Sequence, residues 1–236
     1  MELVVGIVGP RGRMGNALVQ LAGDDGLKVL PIVRAGGSGG QPLGELDGNA
    51  CRVVIDFSHR DTVATHAAWV ARHQVAWVLG TTGLEPGDQA AVRAAADRTL
   101  VFQASNFSLG VALLTELAER AARVLGVQAD VEISEVHHHH KKDAPSGTAL
   151  VLRDAVVGAG YDRPIDISST RAGEIPGTHT VGFDGAADTV TLTHTVRDRA
   201  VFAHGALDAA RWLVGRQGWF GMDDFVGADL QVRAQG

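Results

Sequence analysis

The chain has 236 residues, 45% of them hydrophobic and 20% charged, with a formal net charge of -6. That length buries a substantial core in one large domain or two modest ones, and the acidic balance excludes a global basic field for nucleic acid. The one cysteine, Cys51, excludes an internal disulfide, and its place beside Val53, Val54 and Ile55 points to a buried structural thiol.

The first six residues lack a basic segment and run straight into a strand-like stretch, unlike a signal peptide. No apolar run approaches the roughly 18 residues that span a bilayer. The expectation is a cytoplasmic protein without a membrane partner.

Leu3–Val8 is a short apolar run ended by glycine, and Arg13–Ala22 carries Met14, Leu18 and Leu21 on one helical face. Lys28–Val33 and Arg52–Phe57 read as the second and third strands. Ser58 is the expected cap of the next helix, with Asp61 as its capping-box partner. Val75–Leu79 reads as a fourth strand and Leu100–Gln103 as a fifth. Between them Pro86–Asp97 is alanine-rich and helical, with proline near its start. Ala35–Gly40 is a flexible loop by composition. This alternation implies an α/β fold with a parallel sheet covered on both faces.

After Asn106 the pattern changes. Ser108–Leu125 reads as a long amphipathic helix ended by Gly126. Val131–Val136 reads as a strand and Ser146–Val157 as a helix. Strand signals then follow one another at Ile165–Thr170, His179–Phe183 and Thr189–Val196, with Arg197–Arg199 turning into a further extended segment at Ala200–His204. Gly205–Val214 is the last predicted helix. Runs of strands after a βα alternation suggest a second, α+β domain. The expected division is 1–106 with 206–236, and 107–205, with hinges near 105–108 and 204–206.

The first strand ends in Gly6-Ile7-Val8-Gly9-Pro10-Arg11-Gly12-Arg13-Met14-Gly15. Glycines between a first strand and a first helix let the backbone approach a pyrophosphate, and the helix amino terminus supplies N–H donors. Arg11 stands where the second glycine of G-x-G-x-x-G is expected, so a tight βα turn without a ligand stays open. Arg34 ends the second strand, where an acidic residue would bind the ribose of NAD. An arginine there can pair with a 2′-phosphate, which favours NADPH with NADH also accepted; a solvated surface arginine is the other reading. Gly80-Thr81-Thr82-Gly83 and Ala104-Ser105-Asn106-Phe107 follow parallel strands on the side where open α/β sheets bind ligands. The expected cofactor residues are therefore Gly9, Arg11, Gly12, Arg13, Met14, Arg34, Gly80, Thr81, Thr82, Ala104, Ser105, Asn106 and Phe107.

The most distinctive stretch runs from Glu135 to Thr148, Glu-Val-His-His-His-His-Lys-Lys-Asp-Ala-Pro-Ser-Gly-Thr. It has three readings: a metal site, a solvated basic loop, or an anion site with a proton donor. On an extended chain neighbouring histidines point to opposite sides, so the run offers at most two ligands to one ion, and no metal is expected. The residues after the histidines favour the third reading. Pro145-Ser146-Gly147-Thr148 opens a helix, and helix starts present unpaired N–H groups to anions. Lys141 and the histidines just upstream add positive charge. His59, His66 and His73 lie on helical stretches and read as surface or packing residues.

This stretch resembles the E-x-H-H-x-x-K-x-D-A-P-S-G-T signature of dihydrodipicolinate reductases. The resemblance continues in Gly9–Gly15, Asp56-Phe57-Ser58, Gly80–Gly83, Asn106-Phe107-Ser108, Arg171-Ala172-Gly173-Glu174 and Phe202–Ala206, in the family's order along nearly the whole chain. It implies a Rossmann-type dinucleotide-binding domain and an α+β substrate-binding and oligomerisation domain with a mixed sheet. It also implies a homotetramer, and hydride transfer from NADPH or NADH to a small cyclic dicarboxylate. Carried over by position, the resemblance implies His137 as general acid and Lys141 as carboxylate binder and assistant. It implies that His138, Gly147 and Thr148 contact substrate, with Ser146 beside them. The chain looks shorter than its family around Gly26–Asn49 and Ala159–Ile165. Two other readings keep the same fold: a dehydrogenase of another small carboxylate, and a non-catalytic dinucleotide-binding regulator.

Overall fold

Short apolar runs bounded by glycine and polar residues become the strands of one parallel sheet in a computed structural model, which describes residues 3–33 and 37–233. These strands are β1 (Val4–Val8), β2 (Lys28–Val33), β3 (Gln41–Pro42), β4 (Val53–Asp56), β5 (Ala76–Leu79) and β6 (Val101–Gln103). Together with β11 (Trp219–Phe220) they form a seven-stranded sheet in the order β11-β6-β5-β4-β1-β2-β3. Val8 lies level with Ile32 of β2 on one side and Asp56 of β4 on the other. The chain runs outward in one direction after β1 and in the other after β4, so the sheet reverses its order between them. The carboxyl ends of β1 and β4 therefore frame the crevice in which open sheets of this kind bind ligands.

Every residue of β4 and β5 is buried, as strands covered on both faces must be. The covering helices of this unit include α1 (Arg13–Asp24), α2 (Arg60–His73) and α3 (Pro86–Ala96). Pro86 stands at the start of α3, where Glu85 and Asp88 form a reciprocal capping box. At α2 the cap is His59, not Ser58: the His59 ring accepts the Asp61 N–H. Ser58 is used one step earlier, donating its N–H to Asp56 Oδ1 at 3.0 Å and pairing its hydroxyl with Thr62 at 2.8 Å. Cys51 is buried, and burial pushes its thiol up to about 11.

The chain divides into two compact units, one holding the described residues up to Phe107 and from Phe202 onward, the other Ser108–Val201. The second unit opens with α4 (Leu109–Leu125), capped by the Ser108 hydroxyl and ended by Gly126. Next come β7 (Ala129–His137), α5 (Gly147–Gly158), β8 (Asp166–Arg171), β9 (Thr178–Gly185) and β10 (Thr189–Thr195). The sheet order is β10-β9-β7-β8, with β7 and β8 parallel and the other pairs antiparallel. Side chains alternate along β7, and Val131 and Ile133 join Val181 and Phe183 of β9 in one core. Leu114 and Ala118 of α4 and Leu152 and Val156 of α5 close that core. Each large side chain buried there contributes roughly 1.5–3 kcal/mol. The opposite face is polar: Thr180 pairs with Thr193 at 3.1 Å, and Thr178 with Thr195 at 3.2 Å.

Two expectations fail near the end. Ala200–His204 is not extended; it forms the opening turns of α6 (Ala200–Leu213), where Asp198 Oδ1 accepts the Ala200 N–H at 2.8 Å. A short apolar run carries no period by which strand and helix can be told apart. A last helix, α7 (Met222–Arg233), follows β11 and was not expected, although Asp223 and Asp224 mark its first turn. Gly205 lies inside α6 because a β-carbon there would sit 1.8 Å from the Phe107 carbonyl oxygen. Gly205→Ala should therefore destabilise the protein by about 1–3 kcal/mol, against a helix-propensity gain of about 1 kcal/mol. Urea unfolding measures this, and a stabilised variant contradicts the packing.

Candidate active site

The turn after β1 leaves the backbone open at the amino end of α1. Gly9 adopts φ +66° and donates its N–H to Ile32 O at 2.9 Å, and Gly12 donates to Gly9 O at 2.9 Å. A β-carbon on Gly15 would lie 2.1 Å from the Gly9 oxygen, so glycine is what allows α1 to pack this close to β1. The cap residue Gly12 offers no side chain to the first N–H groups, and the first turn holds no acidic residue. The amino end of α1 therefore keeps its donors and its partial positive charge.

Gly9, Pro10, Arg11 and Gly12 line a cavity of about 450 Å³ with Val33, Gly37 and Ser38. The Arg11 guanidinium donates to Ser38 Oγ at 3.0 Å and lies against Gly39, where a β-carbon would come within 2.7 Å of it. Arginine at the position of the expected glycine thus joins the turn to the loop beyond β2. Ser38 had no signal beyond its glycine-rich setting. Arg13 is exposed and Met14 half-buried. Arg34 lies outside the described residues.

The other expected cofactor segments follow β5, which neighbours β4, and β6, the next strand outward. Gly80 packs on Phe57, which a β-carbon would strike at 2.2 Å. Thr81 is buried with its hydroxyl 3.4 Å from Ser58 O, and Thr82 is exposed. Ala104 donates its N–H to Leu79 O at 3.1 Å, Ser105 is exposed and Asn106 half-buried. Phe107 turns inward, its ring 5.3 Å from Phe57 and 5.8 Å from Phe102. Below these loops Asp56 is wholly buried and meets His66 Nδ1 at 2.7 Å. Burial raises the Asp56 carboxyl, but the His66 and Ser58 bonds outweigh it and hold it below the usual range.

In the second unit the inner face of the mixed sheet turns from apolar to charged at the carboxyl end of β7. Glu135 and His137 continue the row of Val131 and Ile133. Glu135 is fully buried. It receives Arg171 through two bonds, at 2.7 and 3.0 Å, and the Ser146 N–H at 3.2 Å. It also holds His137 Nδ1. Burial pushes the Glu135 carboxyl up, but bonds from Arg171, Ser169 and His137 prevail and hold it at about 2. The His137 ring lies 5.0 Å from that of His179, edge to face. Burial drives the His179 imidazole down to about 4, with His137 pushing the same way. Burial also lowers His137, aided by Lys141 and Arg171 and opposed by Glu135.

Sequence alternation could have exposed this arrangement, since a carboxylate in a buried register requires a partner. Which cation supplies it, Arg171 on β8, is a tertiary fact.

Beyond His137 the chain leaves the strand. His138 accepts from Arg199 at 2.8 Å. The turn stacks His139 and His140, with centroids 3.8 Å apart; the expected alternation of neighbouring histidines stops here because the backbone is no longer extended. Lys141 pairs with Asp143 at 2.8 Å and stays partly exposed. Ser146 caps α5: its hydroxyl accepts the Ala149 N–H at 3.2 Å and lies 3.2 Å from His179 Nε2. With 2% exposure, Ser146 is engaged by the protein itself. Gly147 is exposed and Thr148 half-buried in the first turn of α5. Gly147 and Thr148 thus form the first turn of α5, His137 is tied to its cap through Glu135, which accepts the Ser146 N–H, and Lys141 acts on the His137 imidazole from the intervening turn. Among the described residues, the buried trio Glu135, His137 and His179 has the donor types of a metal site, but Arg171 already neutralises its carboxylate.

Comparison with known proteins agrees with this geometry. Residues 3–107 match the family model described as dihydrodipicolinate reductase, N-terminus, and residues 110–226 match its C-terminus. A 4-hydroxy-tetrahydrodipicolinate reductase of Gluconacetobacter diazotrophicus is 41% identical over 249 residues, covering 95% of this chain and 97% of that one. One from Halorhodospira halophila is 40% identical over 266 residues, covering 96% and 100%. The solved structure of a dipicolinate-bound dihydrodipicolinate reductase from Paenisporosarcina sp. TG-14 superposes with a TM-score of 0.79 at 25% identity, covering 95% of this chain and 99% of that one. With both halves of the chain matched and the glycine turn, the Glu135–Thr148 segment and the mixed sheet all present, the chain belongs to the dihydrodipicolinate reductase family.

Proposed function

We propose that this chain reduces (2S,4S)-4-hydroxy-2,3,4,5-tetrahydrodipicolinate to 2,3,4,5-tetrahydrodipicolinate with loss of water, in the diaminopimelate route to L-lysine. Curated relatives at about 40% identity carry that activity in their names. The observation that carries the reading is the grouping of a buried imidazole, a lysine and a helix amino terminus at the end of β7. That grouping suits a small dianion that must also receive a proton.

The reductases of this family use NAD(P)H, which when bound supplies the hydride. The glycine turn and the amino end of α1 suit its pyrophosphate. Arg11, with Ser38, suits a phosphate on the adenosine ribose.

Lys141 and the first N–H groups of α5 hold a substrate carboxylate, with Thr148 and His138 beside it. Arrival of a dianion stabilises imidazolium and raises the proton affinity of His137. His137 is then suited to protonate the enamine that hydride addition leaves. The ammonium of Lys141 exchanges Asp143 for the substrate carboxylate.

The polar, threonine-rich face of the mixed sheet supports assembly of four copies through that surface. No helix among the described residues is long and apolar enough to cross a membrane, and a cytoplasmic site of action accompanies the reading.

Mixing the protein with NADPH and freshly generated substrate should give substrate-dependent loss of cofactor absorbance; no oxidation would favour a binding module. His137→Gln should lower kcat by about 10²–10⁴-fold with little change in the cofactor KM. Lys141→Ala should lower kcat and raise the substrate KM together. Normal turnover in either variant removes that residue from its role. Arg11→Ala should raise the KM for NADPH by about tenfold or more and that for NADH much less; an equal effect on both cofactors contradicts a role at the 2′-phosphate.

A further inference from the structure

Glu135 and Arg171 belong to two separate motif segments, and the proposed reaction uses neither directly. They lie on adjacent strands, with Arg171 level with His137 across the parallel pair β7 and β8. The Glu135 carboxylate is fully buried and has five protein donors around it: the two Arg171 nitrogens, the Ser146 N–H, the Ser169 side chain and His137 Nδ1. Such a carboxylate cannot rotate away without leaving the half-buried Arg171 guanidinium without its counter-charge.

We infer that Glu135, clamped by Arg171, is a positioning residue that fixes His137 in one orientation with its proton on Nδ1, so that Nε2 is the atom that delivers protons to substrate. This rests on the proposed role of His137 as the acid.

An ionised carboxylate accepts only, so the nitrogen facing it must be a donor. In the neutral ring Nε2 is then the acceptor, and in the imidazolium it carries the transferable proton. Nε2 lies beside Gly177, where a β-carbon would come to 3.0 Å from it, so the missing side chain leaves that nitrogen approachable. Arg171 explains why the carboxylate stays an anion in a buried place. It also tempers the pull of Glu135 on the imidazole, leaving a proton that can be given up. A carboxylate that orients a catalytic imidazole in this way governs both tautomer and ring angle.

The groups facing His137 are Glu135 on its own strand, Arg171 on β8, His179 on β9, and His138 and Lys141 in the turn beyond β7. Of these only Glu135 is an anion. Removing its charge lowers the proton affinity of His137, so the alkaline fall of kcat/KM should move to lower pH, by about one unit.

The test is a double-mutant cycle with Glu135→Gln, His137→Gln and the pair, read as kcat and as the pH profile of kcat/KM. Glu135→Gln should cost about 10²–10³-fold in kcat and shift the alkaline limb downward. The pair should be no slower than His137→Gln within about threefold. Losses that multiply in the pair overturn the inference, because Glu135 would then act independently of His137. A normal Glu135→Gln beside an impaired His137→Gln overturns the inference and leaves the acid assignment standing. A normal His137→Gln overturns both.

Two further measurements do not depend on the single variant folding. In Glu135→Gln with Arg171→Met, which leaves no unpaired charge, the same loss of kcat is expected, and retained turnover overturns the inference. Nitrogen-15 spectra of the wild-type imidazoles, taken above the His137 pKa, should show His137 protonated on Nδ1; protonation on Nε2 overturns it.

Discussion

A carboxylate with no exposure, set in the same row as Val131 and Ile133, cannot remain ionised without a cation beside it. Removing one member of such a pair costs about 3–5 kcal/mol, so the arrangement of the second unit around Glu135 is tightly constrained. The constraint is met by topology. β7, α5 and β8 form a parallel βαβ unit, so the end of β7, the start of α5 and the end of β8 lie on one side of the sheet. Arg171 closes β8 and His137 closes β7, while Ser146 opens α5. All three therefore meet Glu135 because of how the strands run, and the imidazole, the helix donors and the guanidinium arrive together.

The first unit repeats this geometry. There β1, the glycine turn and α1 put a helix amino terminus at the end of a parallel strand, beside the crevice where the sheet order reverses. The two sites differ in what surrounds the helix start. Around α1 the chain supplies glycines and two arginines, Arg11 and Arg13, which suit a phosphate ester approached along its backbone. Around α5 it supplies a lysine and an imidazole whose proton affinity is lowered by burial and balanced between Glu135 and the cations Lys141 and Arg171, which suits a carboxylate next to a carbon that must be protonated.

Much of this could be read from the residues. The alternation of apolar runs and amphipathic helices marked the parallel sheet, and the later run of strands marked the mixed one, because strand and helix periods differ along most of the chain. Short elements were invisible. Two-residue strands such as Gln41–Pro42 and Trp219–Phe220 carry no period at all. Val201-Phe202-Ala203 was too brief to separate helix from strand. At the site, the Glu135–Thr148 motif was legible, as was the helix start. The partners of Glu135 were not, since Arg171 lies 36 residues away and is brought in by strand pairing. Nor was the engagement of Ser146 by His179, which depends on pairing β9 with β7.

The most direct measurement is a crystal structure of this protein soaked with pyridine-2,6-dicarboxylate, a planar analogue of the cyclic diacid. One carboxylate should lie within hydrogen-bond reach of the Lys141 ammonium and the N–H groups that open α5. The ring should lie within about 4 Å of His137 Nε2, with Glu135 still bonded to the opposite nitrogen. An analogue seated away from that helix start, or an imidazole turned so that Nε2 faces Glu135, would contradict the assignment of His137 as the proton donor.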